Sequence, residues 1–406
     1  MTPAVILRLL DVAGVVHLIE YPFLSAILFG LGIVAAAFIL SWAAEVAELD
    51  ISAALALAFV ALIAVLPEYA VDAYLTWQAG QEQVAGIPFA DQEYVHYAAA
   101  NMTGGNRLLV GLGWPLVALL FWFKRRQNLL LGEGLSLEIL FLTIATIYSF
   151  TIPFKSNIAL WDSAVLVGLF AVYMWLSSRS AHEDPILVGP SATIGLLPKL
   201  KRRVITLGMF FMAAFVILIA AEPFTEGLLV AGASAGIDEF ILVQWVAPLA
   251  SESPEILIAI IFTLRGMAGA AMTALISAKV NQWTLLVGTL PVVYSASVGE
   301  VASLPLDNRQ AQEFFLTSAQ SIFAVVLLLR LWISFRSSLV LLFLFVAQLF
   351  SPIYPALGFG IFNIQDRLFY ACVYIFLTAL IIFVDRHRII ALANFSSYIH
   401  KNLIKK

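Results

Sequence analysis

Leu62-Ile63-Ala64-Val65-Leu66-Pro67-Glu68 and Leu249-Ala250-Ser251-Glu252-Ser253-Pro254-Glu255 decide how this chain is read. Each places a proline and a carboxylate in the middle of a long apolar run. An ionisable side chain at membrane depth costs about 2.5–3.5 kcal/mol even on the lenient insertion scale, so it marks a functional site before anything else. Two such segments in corresponding positions of two half-chains point to a transporter built from repeats.

Composition supplies the setting. Of 406 residues, 62% are hydrophobic and 12% charged, and the mean hydropathy is +0.97. Ordinary globular chains carry about a quarter charged residues, so this one is solvated mostly by lipid. The net charge of -4 says little about partners, because membrane proteins sort charge loop by loop. Nothing supports nucleic-acid binding, and the absence of a Gly-rich Lys-Ser/Thr phosphate loop argues against nucleotides. Cys372 alone excludes an internal disulfide framework and cannot supply a zinc site. No cofactor is expected, and the expected partners are the lipid bilayer and inorganic cations.

A span needs about 20 mostly apolar residues to cross roughly 30 Å of hydrocarbon. That ruler gives spans near 22–46, 52–79, 94–123, 135–153 and 158–177, a first repeat over residues 22–177. A polar cytoplasmic linker over 178–203 holds Arg179, His182, Glu183, Asp184 and Lys199 to Arg203. Spans near 204–234, 239–264, 269–294, 312–333 and 337–352 form a second repeat over 204–352. An extra span near 367–385 and a basic tail fill residues 353–406, where Pro355, Gly358 and Gly360 leave loop and short re-entrant piece both open. Residues 1–21, with Arg8 in a short amphipathic stretch and no cleavage signal before Phe23, read as an interfacial segment.

Lys124 to Arg126, Lys199 to Arg203, Arg265, Arg330, Arg336, Arg386 and Lys401 all fall on one side of this layout. The bias of Lys and Arg toward cytoplasmic loops then puts the N-terminus outside and the C-terminus in the cytoplasm of a cell expected to carry the protein in its plasma membrane. Five spans per half invert the second repeat relative to the first. The expected fold is therefore an all-α integral membrane protein with two inverted-topology five-helix repeats, a ten-span core, and one additional C-terminal helix. Inverted halves meeting at the midplane let one fixed site face each side in turn.

The repeat can be followed residue by residue. Glu45 to Ser52 leads into the second span as Glu226 and Ala235 to Glu239 lead into the seventh, and Leu108-Leu109-Val110-Gly111 matches Leu285-Leu286-Val287-Gly288. On these segments and the two Pro-Glu motifs, the chain resembles the cation/calcium exchanger superfamily, which includes sodium/calcium and calcium/proton exchangers. That family carries two inverted repeats, each with a Gly-Thr-Ser-x-Pro-Glu type segment and a later Gly-Ser-Asn-x-x-Asn type segment. The resemblance covers roughly residues 22–352 and implies a ten-span transporter core in which Glu68 and Glu255 match the two ion-binding glutamates. The chain departs from the pattern at Ala64-Val65, which offers no side-chain oxygen, and at Ser251-Glu252, which adds a carboxylate. It departs again at Asn101-Met102-Thr103-Gly104-Gly105-Asn106-Arg107, which brings a cation, and at Ser277-Ala278-Lys279-Val280-Asn281-Gln282, where Lys279 stands in place of an acidic ligand.

Proline and glutamate belong together for a chemical reason. Pro67 and Pro254 lack the N–H that would bond the carbonyls of Ile63 and Ala250. Freed carbonyls are tolerated at membrane depth only where they line a cavity or are otherwise satisfied. With a carboxylate at the same level they make a hard-oxygen site for Na⁺, Ca²⁺ or H⁺. The candidate ligands are Glu68, Glu255, Glu252 and Ser251, with neutral oxygens from Asn106, Asn101, Thr103 and Asn281. Lys279, Arg107 and Asp72 are the candidate charge partners, Asp72 lying one turn after Glu68 on the same face. Three glutamates against Arg107 and Lys279 leave one net negative charge, a balance that favours a monovalent cation or a proton. Plainer roles stay open: a proline kink whose glutamate bonds a neighbouring helix, cations that snorkel to the interface, and amides that bridge helices.

The expected function is secondary cation antiport by alternating access, with no enzymatic activity. Two alternatives remain open, a monovalent cation/proton antiporter without calcium transport and a non-transporting scaffold or sensor on the same fold. An intramembrane hydrolase would need a nucleophile and base or a metal-ligand set, and His17, His96, His182, His387 and His400 are scattered.

Overall fold

Helices start and stop where the sequence carries the chemistry for it. The helix Asn308–Leu328 opens on a capping box, in which Asp307 accepts from the Gln310 backbone N–H and the Gln310 side chain accepts from the Asp307 N–H. Ser334 caps Phe335–Phe350 through the Ser337 N–H. Lys199–Ala235 ends on Gly236 at φ 66°, a left-handed position that suits glycine. The computed structural model describes residues 1–14, 21–50, 65–179, 187, 189–236, 239–351 and 366–399.

Helices stand where spans are expected. Pro22–Ala47, Tyr94–Arg125, Glu133–Lys155, Leu160–Ser177, Lys199–Ala235, Glu239–Leu264, Asn308–Leu328 and Arg367–Val384 are the 8 that are long and apolar enough to cross a membrane among the described residues. Phe335–Phe350 is a shorter apolar helix. The expected span over 52–79 is seen only from Leu66, as the helix Leu66–Val84, since residues 51–64, with the Ile63 carbonyl and Ala64, lie outside the described residues. So do the loop over 352–365, the linker residues His182 to Asp184, and the basic tail from His400 onward. The expected interfacial segment contains the helix Thr2–Val12.

Two spans are not plain α-helix. The helix Tyr94–Leu108 passes into a π-helical turn, Leu109–Gly113, before Trp114–Arg125. Ala268–Asn281 passes into a second π-helical turn, Gln282–Leu286, before Val287–Val298. Five-residue π segments in the middle of helices collect at functional sites, and here one falls in each half of the sequence.

The chain forms two compact units. The first takes in Met1–Met102, Met174–Pro254 and Val293–Val301. Its core is the contact between Pro22–Ala47 and Lys199–Ala235, with Phe29, Ile33, Ala36 and Leu40 packed among Ala213, Ile217, Ala220 and Phe224. Small residues allow this approach: a Cβ on Gly227 would stand 2.7 Å from the Ala26 nitrogen. Ser25 Oγ donates to the Pro223 carbonyl at 2.9 Å across the same contact. At one end Arg202 grips Asp50 with two bonds of 2.7 and 2.8 Å, and the guanidinium holds the Asp50 carboxyl below the usual carboxylate range.

The second unit takes in Thr103–Tyr173, Glu255–Val292 and Ala302–Lys406. Asn308–Leu328 runs through its middle against Ser136–Ser149 and Asp366–Val384. Two short antiparallel ladders fasten loops: Leu129–Leu130 pairs with Trp332–Ile333, and Asn157–Ile158 with Leu304–Pro305. Phe376, Leu380 and Phe383 on the last apolar helix stay exposed, as lipid-facing residues do.

Candidate cation site

The first unit holds one group of the expected ligands. Glu68 lies in the first turn of Leu66–Val84 and is 4% exposed; a carboxylate there is favoured by the amide dipoles of the helix start. Pro67 sits in that same first turn, where a missing N–H is harmless. Glu252, 1% exposed, comes from Glu239–Leu264 and brings a carboxylate oxygen within 4.8 Å of one from Glu68. The Ser251 hydroxyl reaches the Glu68 carboxylate and also lies 3.2 Å from the Pro248 carbonyl.

Asp72 is fully buried one turn beyond Glu68 and accepts from Asn101 Nδ2 at 2.8 Å. Around this pair, Glu68 Oε2, Asp72 Oδ2, Thr76 Oγ1 and Asn101 Oδ1 are buried with no hydrogen-bond partner among the described residues. Buried oxygens are nearly always satisfied. A set of orphaned acceptors on carboxylates and an amide calls for protons or a cation.

The carbonyl that Pro254 frees is at hand but not idle. Pro254 lies inside Glu239–Leu264, and the Ser253 hydroxyl donates to the Ala250 carbonyl at 3.1 Å. Glu255, half-buried, follows Glu252 by three residues on the same helix, hence on the same face.

The second unit holds the remaining expected residues. Lys279 is fully buried; its Nζ donates to Asn106 Oδ1 at 2.7 Å and to the Asn106 carbonyl at 3.3 Å, and it sits 4.3 Å from the centre of the Trp283 ring. Trp283 in turn stacks on Phe314. Asn281 and Thr103 are buried, and the Thr103 carbonyl accepts from Arg107 Nε at 3.4 Å. Arg107 spends its charge elsewhere: its Nη2 lies 2.6 Å from Glu313 Oε2, with both side chains 2% exposed. Arg367, from the last apolar helix, bonds the other Glu313 oxygen.

Glu313 was not legible as Arg107's partner, because only its position near a span start distinguishes it in the sequence. A second missed feature is the setting of Glu226, whose carboxylate accepts from Tyr74 Oη at 2.7 Å and from Tyr94 Oη. These residues line a cavity of about 400 Å³ in the first unit together with Arg8, Glu222 and Gln78. The signal was a pair of tyrosines at span ends, which membrane interfaces also collect.

The chain is similar to proteins of known structure. The solved H⁺/Ca²⁺ exchanger CAX is 43% identical to this chain with a TM-score of 0.87, covering 99% of this chain and 96% of its own. The sodium-calcium exchanger NCX_Mj is 19% identical with a TM-score of 0.53, covering 82% of this chain and 98% of its own, a likeness of fold. No curated protein matches the sequence. The model of the sodium/calcium exchanger protein family matches residues 21–179 and 205–354. Those two segments take in most of the chain, which therefore belongs to the sodium/calcium exchanger protein family.

Proposed function

We propose that this chain is a secondary antiporter that exchanges Ca²⁺ for protons at a site built on Glu68, Glu252 and Glu255. The observation that carries the reading is the buried Glu68–Glu252 pair, two carboxylates within 4.8 Å of each other at a depth where isolated charges are costly. Two neighbouring carboxylates out of water hold either protons or a metal ion, and seldom neither. Asn101 adds a neutral oxygen toward the six to eight that Ca²⁺ takes.

The charge balance now differs from the one read off the sequence. Arg107 is neutralised by Glu313, so it leaves the account of the site. The neighbouring carboxylates of Glu68 and Glu252 carry two negative charges when ionised, which one Ca²⁺ or two protons would match. Each exchange cycle then leaves the site equally neutral in both loaded states. Kinship to an H⁺/Ca²⁺ exchanger at 43% identity supports the proton over Na⁺ as the counter-ion. The N-terminus-outside orientation and the plasma membrane remain the reading of the Lys and Arg bias, and the inverted ten-span core with one extra helix remains the architecture proposed for the transport cycle.

The test is a calorimetric Ca²⁺ titration of the purified protein in buffers of different ionisation enthalpy. Release of about two protons per Ca²⁺ supports the reading, since metal binding to protonated ligands must expel them. Binding without proton release, or displacement of Ca²⁺ by Na⁺ alone, would contradict it.

A further inference from the structure

The helix Leu66–Val84 carries a polar file on one face, where Glu68, Asp72 and Thr76 follow one another at intervals of four residues. Asp72 and Thr76 are fully buried, and Asn101, 4% exposed, meets Asp72 from Tyr94–Leu108. All of these residues belong to the first unit. Asn101 turns its amide nitrogen to Asp72 Oδ1 at 2.8 Å. Asp72 Oδ2, Thr76 Oγ1 and Asn101 Oδ1 are then buried with no hydrogen-bond partner among the described residues, and the charged neighbour of Asp72 is another carboxylate, Glu68. Beyond Thr76 the file ends at Gly80, where a Cβ would stand 2.5 Å from the Ser297 side chain, and Gln81 Nε2 donates to Ser297 Oγ at 3.0 Å. The second half of the sequence does not repeat these residues. In the repeat register Ala259 stands for Asp72, Ala278 for Asn101 and Thr263 for Thr76. The Thr263 hydroxyl is satisfied within its own helix, donating to the Ala259 carbonyl at 2.7 Å; the Thr76 hydroxyl makes no such bond.

We propose that Asp72, Thr76 and Asn101 form a subsite for one resident alkali cation, Na⁺ or K⁺, beside the Glu68–Glu252 pair. The inference rests on the proposed Ca²⁺/H⁺ exchange in leaving that pair to Ca²⁺ and protons. One carboxylate with an amide and a hydroxyl oxygen is a hard-oxygen set of single negative charge, whereas Ca²⁺ gathers several carboxylates. A water molecule would satisfy the oxygens and leave the charge of Asp72 uncompensated away from bulk solvent, where it is costly. An alkali ion supplies both. An amide oxygen has two lone pairs, so Asn101 Oδ1 serves this ion and Ca²⁺ together. The alkali ion stays while Ca²⁺ and protons alternate, so it binds in addition to Ca²⁺ and does not displace it.

The experiment follows the melting temperature of the purified, detergent-solubilised protein, with and without saturating Ca²⁺, as choline chloride is replaced by NaCl or KCl at constant total salt. Wild type is expected to gain about 2–4 °C over a hundredfold rise in the preferred alkali ion, with Ca²⁺ present as well as absent. Asp72→Asn, which keeps the shape and removes the charge, is expected to lose that gain. Thr76→Val, which removes one oxygen, is expected to need about tenfold more of the ion for the same gain. Wild type that melts alike in all three salts overturns the inference, as does a gain that Asp72→Asn keeps. A gain that disappears once Ca²⁺ saturates the protein puts the alkali ion on the Glu68–Glu252 pair and overturns it too. If Asp72→Asn does not survive purification, Thr76→Val decides, and a half-maximal gain within about twofold of the wild-type concentration overturns the subsite. Calorimetry that finds no Ca²⁺ binding to wild type refutes the exchange reading instead, while the comparison of wild type with Asp72→Asn still decides the subsite.

Discussion

Replacing Glu313 by Gln removes one charge from a shape that is otherwise kept, and the structure sets the size of the effect. Glu313 and Arg107 are each 2% exposed and 2.6 Å apart, so the guanidinium cannot rehydrate when its carboxylate is lost. Breaking a buried pair from one side costs about 3–5 kcal/mol, and the retained amide oxygen puts Glu313→Gln near the lower end. Arg367 touches the same carboxylate but is 31% exposed; water screens it, and Arg367→Gln should cost about 0–1 kcal/mol. Combining Glu313→Gln with Arg107→Met deletes both charges and should recover most of the loss, because apolar replacements of buried pairs are often neutral or better. The assay is a double-mutant cycle on unfolding of the detergent-solubilised protein followed by tryptophan fluorescence. A Glu313→Gln protein within about 0.5 kcal/mol of wild type, with additive double-mutant behaviour, would refute the reasoning.

Three further outcomes are expected. A methyl group on Gly111 would stand 2.3 Å from the Phe345 ring and 2.7 Å from Gln320 Nε2, so Gly111→Ala should lose about 1–3 kcal/mol of stability by overpacking, and adding Phe345→Leu should restore part of it on the same unfolding assay. Asp162 is fully buried and accepts from Tyr148 Oη at 2.6 Å and the Ala159 N–H at 2.7 Å, next to Lys155; Asp162→Asn should cost about 1–2 kcal/mol through lost charged hydrogen bonds, read from chemical denaturation. Asp50 is held below the ordinary value of 3.8 by Arg202, so its contribution is present above that value and disappears as pH falls through the depressed native one. Asp50→Asn should therefore melt below wild type at pH 7, with the gap closing under acid conditions; a gap that stays constant down to the acid limit contradicts the linkage.

The sequence was most informative where chemistry conflicts with solvent. Glu68, Glu252 and Asp72 stand out because a carboxylate in an apolar run has few bland explanations, and all three are buried in the first unit. Span ends were placed by apolar length alone, while the caps that set them, such as Asp307 and the terminal Gly236, went unread. Partner choice was not readable. Arg107 lies among residues that look like ion ligands, yet its carboxylate comes from Glu313, more than two hundred residues along the chain, and no local pattern records such a meeting. The π-helical turns at Leu109–Gly113 and Gln282–Leu286 were equally hidden, because one extra residue per turn leaves the apolar composition of a span unchanged. Paired with Glu313, Arg107 no longer counts among the charges expected to oppose the glutamates.

The central claim is tested most directly by Ca²⁺ uptake into sealed proteoliposomes under an imposed pH gradient, with internal pH followed in parallel and Glu68→Gln and Glu255→Gln as controls. The account predicts Ca²⁺ entry coupled to proton exit in wild type, abolished in either variant. Proton movement without Ca²⁺, or Ca²⁺ entry that survives both substitutions, would contradict it.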